Sequence, residues 1–242
     1  MKIVAKTDVG MVRESNQDSY TTGELPNGVA WAVVCDGMGG AAGGNVASST
    51  AVKVIAEQIT SSFRPGMSAN SIKNMMVSAI NAANISVYDI SCSNSELYGM
   101  GTTVVCAIVM EHTAYIAHAG DSRAYIVSHG ALTQLTRDHS VVQELVEHGK
   151  ITALEAKRYP NKNIITRAVG VSREILVDFS EQEMKDGDVL LLCTDGLTNF
   201  VESDEMCDLT KDDMFYEFAE RLVDRANKNG GGDNVTVVAV TY

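Results

Sequence analysis

Two apolar runs of strand character, Thr102 to Met110 and Thr113 to His118, are separated only by Glu111-His112, and a third, Arg123 to Ser128, follows Ala119-Gly120-Asp121. A parallel connection needs a crossover of a dozen or more residues, so these neighbours pair antiparallel. Similar runs at Val29 to Cys35, Val189 to Cys193 and Val235 to Thr241 read as further strands. Helical patterns lie between the strand groups. Ile72, Met75, Met76, Ala79, Ile80, Ala83 and Val87 keep the three-and-four spacing of one buried face, with Ser68 placed to cap it. Met214, Phe215, Phe218, Ala219, Leu222, Val223 and Ala226 make a second stripe, opposite Glu217, Glu220, Asp224 and Arg225, with Thr210 and Asp213 as candidate caps. A third helix is expected from about Val46 to Ile59, after a glycine-rich turn. The order predicts an α+β fold with helices covering sheet faces.

With 242 residues, three prolines and no polar linker, one domain spanning 1–242 is expected. Within it, 138–163 has weak strand character, many charges and short helical pieces at Val141 to Glu147 and Ala153 to Arg158. That segment reads as a mobile flap subdomain, or as a structural excursion without a part in the chemistry. No apolar stretch approaches the roughly 20 residues of a membrane span, and Lys2, Lys6 and Asp8 interrupt any leader-type core, so a cytoplasmic protein without membrane contacts is expected. Five cysteines without a C-x-x-C pair read as buried, reduced thiols. A net charge of -12, from 19 Lys plus Arg against 31 Asp plus Glu, excludes a nucleic-acid footprint.

Aspartates recur where apolar runs meet glycine or small polar residues: Asp36 in Cys35-Asp36-Gly37, Asp121 in Gly120-Asp121-Ser122 and Asp195 in Thr194-Asp195-Gly196. Asp233 instead opens a run after Gly230-Gly231-Gly232. All four are expected at strand ends. One Asp-Gly at a strand end is ordinarily a turn, but several can converge, and converging carboxylates repel unless a cation neutralises them. Oxygen donors without a His or Cys cluster favour magnesium or manganese over zinc. Asp18 adds a carboxylate near Arg13, whose planar fork suits two phosphate oxygens, although alone this is an ordinary charged loop. Asp18, Asp36, Asp195 and Asp233 together balance two divalent ions, which about 3.5 to 4 Å apart can share and acidify a water. An acidic chain repels a phosphorylated substrate at long range, so a positive centre of this kind is needed. Phosphomonoester hydrolysis follows.

In order, Arg13 with Asn16-Gln17-Asp18-Ser19, Asp36-Gly37-Met38-Gly39-Gly40, Gly120-Asp121-Ser122-Arg123, Thr194-Asp195-Gly196-Leu197 and Gly232-Asp233-Asn234 resemble the PPM-type, or type 2C, serine/threonine protein phosphatases in their bacterial single-domain form. The likeness runs from Thr7 to Thr236. It implies a four-layer α/β/β/α sandwich of two antiparallel sheets flanked by helices, with the metal site at one sheet edge. It further implies that Asp36 bridges two Mn2+ or Mg2+ ions, that Asp18 and the Gly37 carbonyl hold one and Asp195 and Asp233 the other, and that Arg13 binds the substrate phosphate. Asp121 matches the ligand of a third, weaker ion, sharing Asp195. By the same resemblance a hydroxide bridging the metals hydrolyses phosphoserine and phosphothreonine in proteins, opposing a serine/threonine kinase that is itself among the substrates. A monomer is expected. The rivals are a pseudophosphatase acting as a binding module and a small-molecule phosphoesterase.

Three departures from the family pattern bear on chemistry. Gln17-Asp18 stands where tandem acids are common, Met38 where animal members carry a histidine proposed as general acid, and Ala41 and Asn45 where many bacterial relatives read His and Glu. Methionine donates no proton, so leaving-group protonation comes from elsewhere, near Asp121, and the cleft has altered polarity. His139 reads as a cap or flap residue and His118 as packed. Strand alternation turns Cys35 and Cys193 away from the metals.

Overall fold

In the computed structural model, which describes residues 1–209 and 214–242 and only the backbone of Ala41 and Ala42, every strand pair among the described residues is antiparallel. The elements follow as β1 (Lys2–Asp8), β2 (Asp18–Leu25), β3 (Val29–Met38), α1 (Gly40–Ser62), α2 (Ala69–Ser93), β4 (Gly101–Thr102), β5 (Val104–Met110), β6 (Thr113–Ala119), β7 (Arg123–Ser128) and β8 (Ala131–Gln134). Then come α3 (Val141–Glu147), α4 (Ala153–Ala156), β9 (Asp178–Glu183), β10 (Val189–Cys193), α5 (Asp195–Thr198), α6 (Ser203–Leu209), α7 (Phe215–Lys228) and β11 (Val235–Thr241). One sheet has the order β1-β11-β10-β7-β8, the other β2-β3-β5-β6-β9, with β4 on β3.

Period-two alternation divides each central strand between two cores. Ala30, Ala32 and Val34 of β3, Leu190 and Leu192 of β10, and Val238 and Val240 of β11 pack between the sheets. Trp31, Val33 and Cys35 face outward onto the buried faces of α1 and α2. On the other side Leu191, Cys193, Val237 and Ala239 face Phe218, Leu222 and Val223 of α7. The result is the four-layer sandwich. Continuing the alternation places Asp36, Thr194 and Thr236 on the inner face at one end of it.

Glu111 and His112 take left-handed conformations (φ 49° and 63°) in the two-residue hairpin between β5 and β6, which suits strand twist. The run expected from Thr102 to Met110 is broken at Thr103, whose N–H donates to the Asp36 carbonyl. α2 has the predicted buried face, and Ser68 accepts from Ser71 N–H as its cap. α1 begins at Gly40, earlier than Val46, because the glycines let its first turn press on β3: a Cβ on Gly44 would lie 2.7 Å from the Gly37 carbonyl oxygen. Met214 is exposed at the start of α7 rather than part of its buried stripe, and Thr210 and Asp213 lie outside the described residues. α4 is shorter than expected, ending at Ala156. Not all cysteines are buried: Cys35, Cys106 and Cys193 are, whereas Cys92 is exposed and Cys207 half-buried. No helix among the described residues is long and apolar enough to cross a membrane.

Candidate metal centre

Asp18 opens β2 and pairs directly with Asp36 across the β2–β3 ladder, so two carboxylates face each other where the sandwich opens. Asp18 is buried, and its Oδ2 accepts from the hydroxyls of Thr194 at 2.9 Å and Thr236 at 2.7 Å. Thr7 donates in turn to Thr236, since the Thr236 proton is engaged on Asp18. Oδ1 of Asp18 is buried without a hydrogen-bond partner. A buried, orphaned carboxylate oxygen is costly, and a divalent cation is the partner that suits it.

Asp36 lies inside β3, two residues before its end, rather than at the strand terminus. Its N–H donates to Thr103 Oγ1 and its carbonyl accepts from Thr103 N–H and Thr102 Oγ1, which fixes the backbone from the next strand. Gly37 N–H donates to the Gln17 carbonyl at 3.2 Å. A Cβ on Gly37 would come within 2.1 Å of the Gly44 carbonyl oxygen, so only glycine permits this approach. Asp195 opens α5 after β10, with Oδ2 accepting from Asn199 Nδ2 at 2.8 Å. Asp233 precedes β11 by two residues, and its Oδ2 accepts from Arg13 at 2.9 Å. Only Asp18, as the first residue of β2, is strictly terminal in a strand.

Electrostatics favour a cation here. Burial raises the Asp18 carboxyl to about 7 against the pull of both threonine hydroxyls. Burial and then Asp18 push Asp36 well above the ordinary range, and burial and then Asp233 raise Asp195. Asp121, at the loop after β6, rises to about 7 through burial and Asp195. These carboxylates are held close without mutual neutralisation, an arrangement that divalent ions relieve. A cavity of about 430 Å³ brings Arg13, Asp36, Gly37, Asp121, Asp195 and Asp233 to one opening, with Met38 and Gln17 in its wall. Asp18 sits beneath it as Asp36's partner. The donor set is carboxylate and carbonyl oxygen throughout, which fits magnesium or manganese.

Several residues hold this site in ways the sequence alone assigned to none of them, although Gln17, Thr194 and Asn234 stand inside its motifs. Asn234 accepts from Gln17 N–H and donates to the Val9 and Ser15 carbonyls, clamping the loop that bears Arg13 against the start of β11. Thr194 and Thr236 act on Asp18, and Asn199 on Asp195. Gln17 itself turns its amide to the Gly40 carbonyl at 2.9 Å.

Among the described residues, the group of His, Cys, Asp or Glu whose ligand atoms all fall within 4.8 Å of one another is a different one, His118, His139 and Asp178. Both ring nitrogens of His139 are engaged there: Nδ1 accepts from Gly120 N–H at 3.1 Å, so Nε2 carries the proton directed to Asp178 at 3.1 Å. His118 stacks on it at 4.7 Å and bonds the Arg137 carbonyl. His139 is therefore neither a cap nor a flap side chain but a buried support under the loop carrying Asp121.

The model for the family Protein phosphatase 2C matches residues 12–236. The chain is 38% identical to "Serine/threonine phosphatase stp" of Listeria monocytogenes serotype 4b (strain F2365), across 97% of this chain and 93% of that one. It superposes on the serine/threonine phosphatase of S. agalactiae with a TM-score of 0.93 at 32% identity, covering 100% of this chain and 99% of that one. It also superposes on the catalytic domain of the serine threonine protein phosphatase PstP in complex with 2 manganese ions, with a TM-score of 0.85 at 33% identity over 98% and 96% of the two chains.

Proposed function

Because the chain belongs to the protein phosphatase 2C family and is a divalent-metal-dependent serine/threonine protein phosphatase, we propose that two Mn2+ or Mg2+ ions are held by Asp18, Asp36, the Gly37 carbonyl, Asp195 and Asp233. The observation that carries the assignment is the buried Asp18 with its unpartnered Oδ1, facing Asp36 across the β2–β3 pair. When bound, such ions act as Lewis acids and lower the pKa of water at the site. Asp36, paired with Asp18 and sharing the cavity with Asp195 and Asp233, would be the ligand common to both ions. Asp121, next to Asp195 at the cavity wall, would hold a third, weaker ion.

Arg13 is half-exposed and uses one amino group on Asp233, leaving further donors of its fork for a phosphate at the cavity mouth. Met38 lines the same cavity and cannot protonate the leaving serine or threonine oxygen, so that proton enters from the Asp121 side. The substrates are phosphoproteins, and a serine/threonine kinase that this enzyme opposes belongs among them. The chain acts as a monomer in the cytoplasm, as one catalytic domain whose 138–163 segment is a flap beside the cleft. Hydrolysis of a phosphothreonine peptide by metal-stripped protein, with and without manganese, tests the assignment. Turnover that needs manganese and vanishes in Asp36→Ala supports it, and an Asp36→Ala variant as active as the parent overturns it.

A further inference from the structure

A second cavity, about 540 Å³, opens beside the metal centre between the flap and α5, and Asp121 and Asp195 belong to its wall as well. Across it the flap touches the body through side chains that end at a carboxylate. Lys162 donates from Nζ to Asn199 Oδ1 at 2.7 Å, and Asn199 donates from Nδ2 to Asp195 Oδ2 at 2.8 Å. An ammonium only donates and a carboxylate only accepts, so a single orientation of the Asn199 amide makes both bonds. Five residues earlier Lys157 pairs with Glu202, beyond α5. That pair is exposed at both ends, and such pairs contribute about 0–1 kcal/mol at most. α4 buries no side chain, and its Thr152–Glu155 capping box is internal to the flap. At the base of the flap His139 holds Gly120, next to Asp121, and Asp138 pairs with Arg123; in its outer part, 150–163, Lys162 to Asn199 is the polar contact that reaches a cation-ligand carboxylate.

We propose that Lys162 and Asn199 form a relay coupling the position of the flap to cation loading at Asp195; the proposal rests on Asp195 being a cation ligand. A cation that fixes the Asp195 carboxylate fixes the Asn199 amide, which then offers Lys162 a stationary acceptor and docks the flap. Coupling of this kind is reciprocal, so a docked flap also holds Asp195 in its ligating orientation. Asn199 and Lys162 are positioning residues, and the docked flap sets one wall of the second cavity, which lies beside the phosphate site and so is where flanking peptide would lie.

The test is hydrogen exchange over residues 150–163, with and without saturating Mn2+, alongside calorimetric Mn2+ titration, on the parent protein, Lys162→Ala, Lys162→Arg and Asn199→Ala. In the parent, Mn2+ slows exchange in the flap. Asn199→Ala binds Mn2+ roughly 10-fold more weakly, the lower end of what loss of a ligand's supporting partner costs, and loses the slowing even when saturated. Lys162→Ala loses the slowing with a smaller loss of affinity, raises KM for a phosphopeptide more than it lowers kcat, and Lys162→Arg restores the slowing. Flap exchange that responds to Mn2+ equally in all four proteins, with unchanged affinity, overturns the relay and leaves the metal assignment standing. A parent protein that binds no Mn2+ overturns both. Lys162 is half-exposed on the flap, so Lys162→Ala keeps the test decisive if Asn199→Ala fails to fold.

Discussion

Removing the metals makes the aspartate cluster a source of pH-dependent instability, and the share that Asp18 contributes can be worked out. Its carboxyl moves from an ordinary 3.8 to about 7 on folding. That difference of about 3, at about 1.4 kcal/mol each, makes the ionised form cost the folded chain about 4 kcal/mol. Because the folded value is raised, the folded state holds the proton more tightly. Its contribution is full below 3.8 and is lost as pH rises through about 7. From about pH 5.5 to about pH 8, Asp18 in the unfolded chain is ionised throughout while the folded one resists until about 7, which removes about 2 kcal/mol. For a chain of this size that is roughly 4–8 °C in Tm. His118 and His139 run the other way: their folded values are lowered, chiefly by burial, so their contribution is intact above 6.5 and is lost as pH falls below it through those lowered values. The measurement is therefore a difference between proteins. Thermal unfolding of chelator-treated protein, followed by the single tryptophan, the buried Trp31, is compared with Asp18→Asn, which keeps an acceptor for Thr194 and Thr236 but does not titrate. The parent falls more steeply with pH than the variant by about 2 kcal/mol, and saturating Mn2+ abolishes the gap. Equal slopes in the two metal-free proteins would refute the reasoning.

Other substitutions give independent checks. Arg13→Ala loses charge-assisted bonds to phosphate worth about 1.5–3 kcal/mol, so steady-state kinetics on a phosphothreonine peptide show KM raised roughly 10-fold or more, with kcat the less affected. Thr194→Val removes one of the two hydroxyls that orient Asp18, and calorimetry shows Mn2+ bound roughly 10-fold more weakly. In Gly196→Ala the new Cβ would sit 1.8 Å from the Asn234 carbonyl oxygen. Urea unfolding registers a loss of about 1–3 kcal/mol, and turnover falls as well because Asn234 clamps the Arg13 loop.

Much of this was legible in the chain itself, for identifiable reasons. The hairpin at Glu111-His112 and the apolar face of α2 are local patterns, and each is realised. β1 and β9 escaped notice because they are edge strands: Lys2–Asp8 is half polar and Asp178–Glu183 mostly so, which suits a strand with one open side but hides the alternation. Asp36, Asp121, Asp195 and Asp233 announced themselves through their glycine neighbours, whereas Asp18 stood out only through its place near Arg13. The threonines and asparagines behind them did not, because Thr194 and Thr236 meet Asp18 only when two sheets stack, across separations of 176 and 218 residues. His139 was misread for a related reason: a buried histidine under a distant loop looks the same in sequence as one in a surface turn.

The most direct measurement of the central claim is anomalous diffraction from a crystal of this protein grown with Mn2+. Two strong manganese peaks are expected among Asp18, Asp36, the Gly37 carbonyl, Asp195 and Asp233, with any third, weaker peak beside Asp121. Manganese bound instead at His118, His139 and Asp178, with the aspartate cavity free of it, would contradict the account.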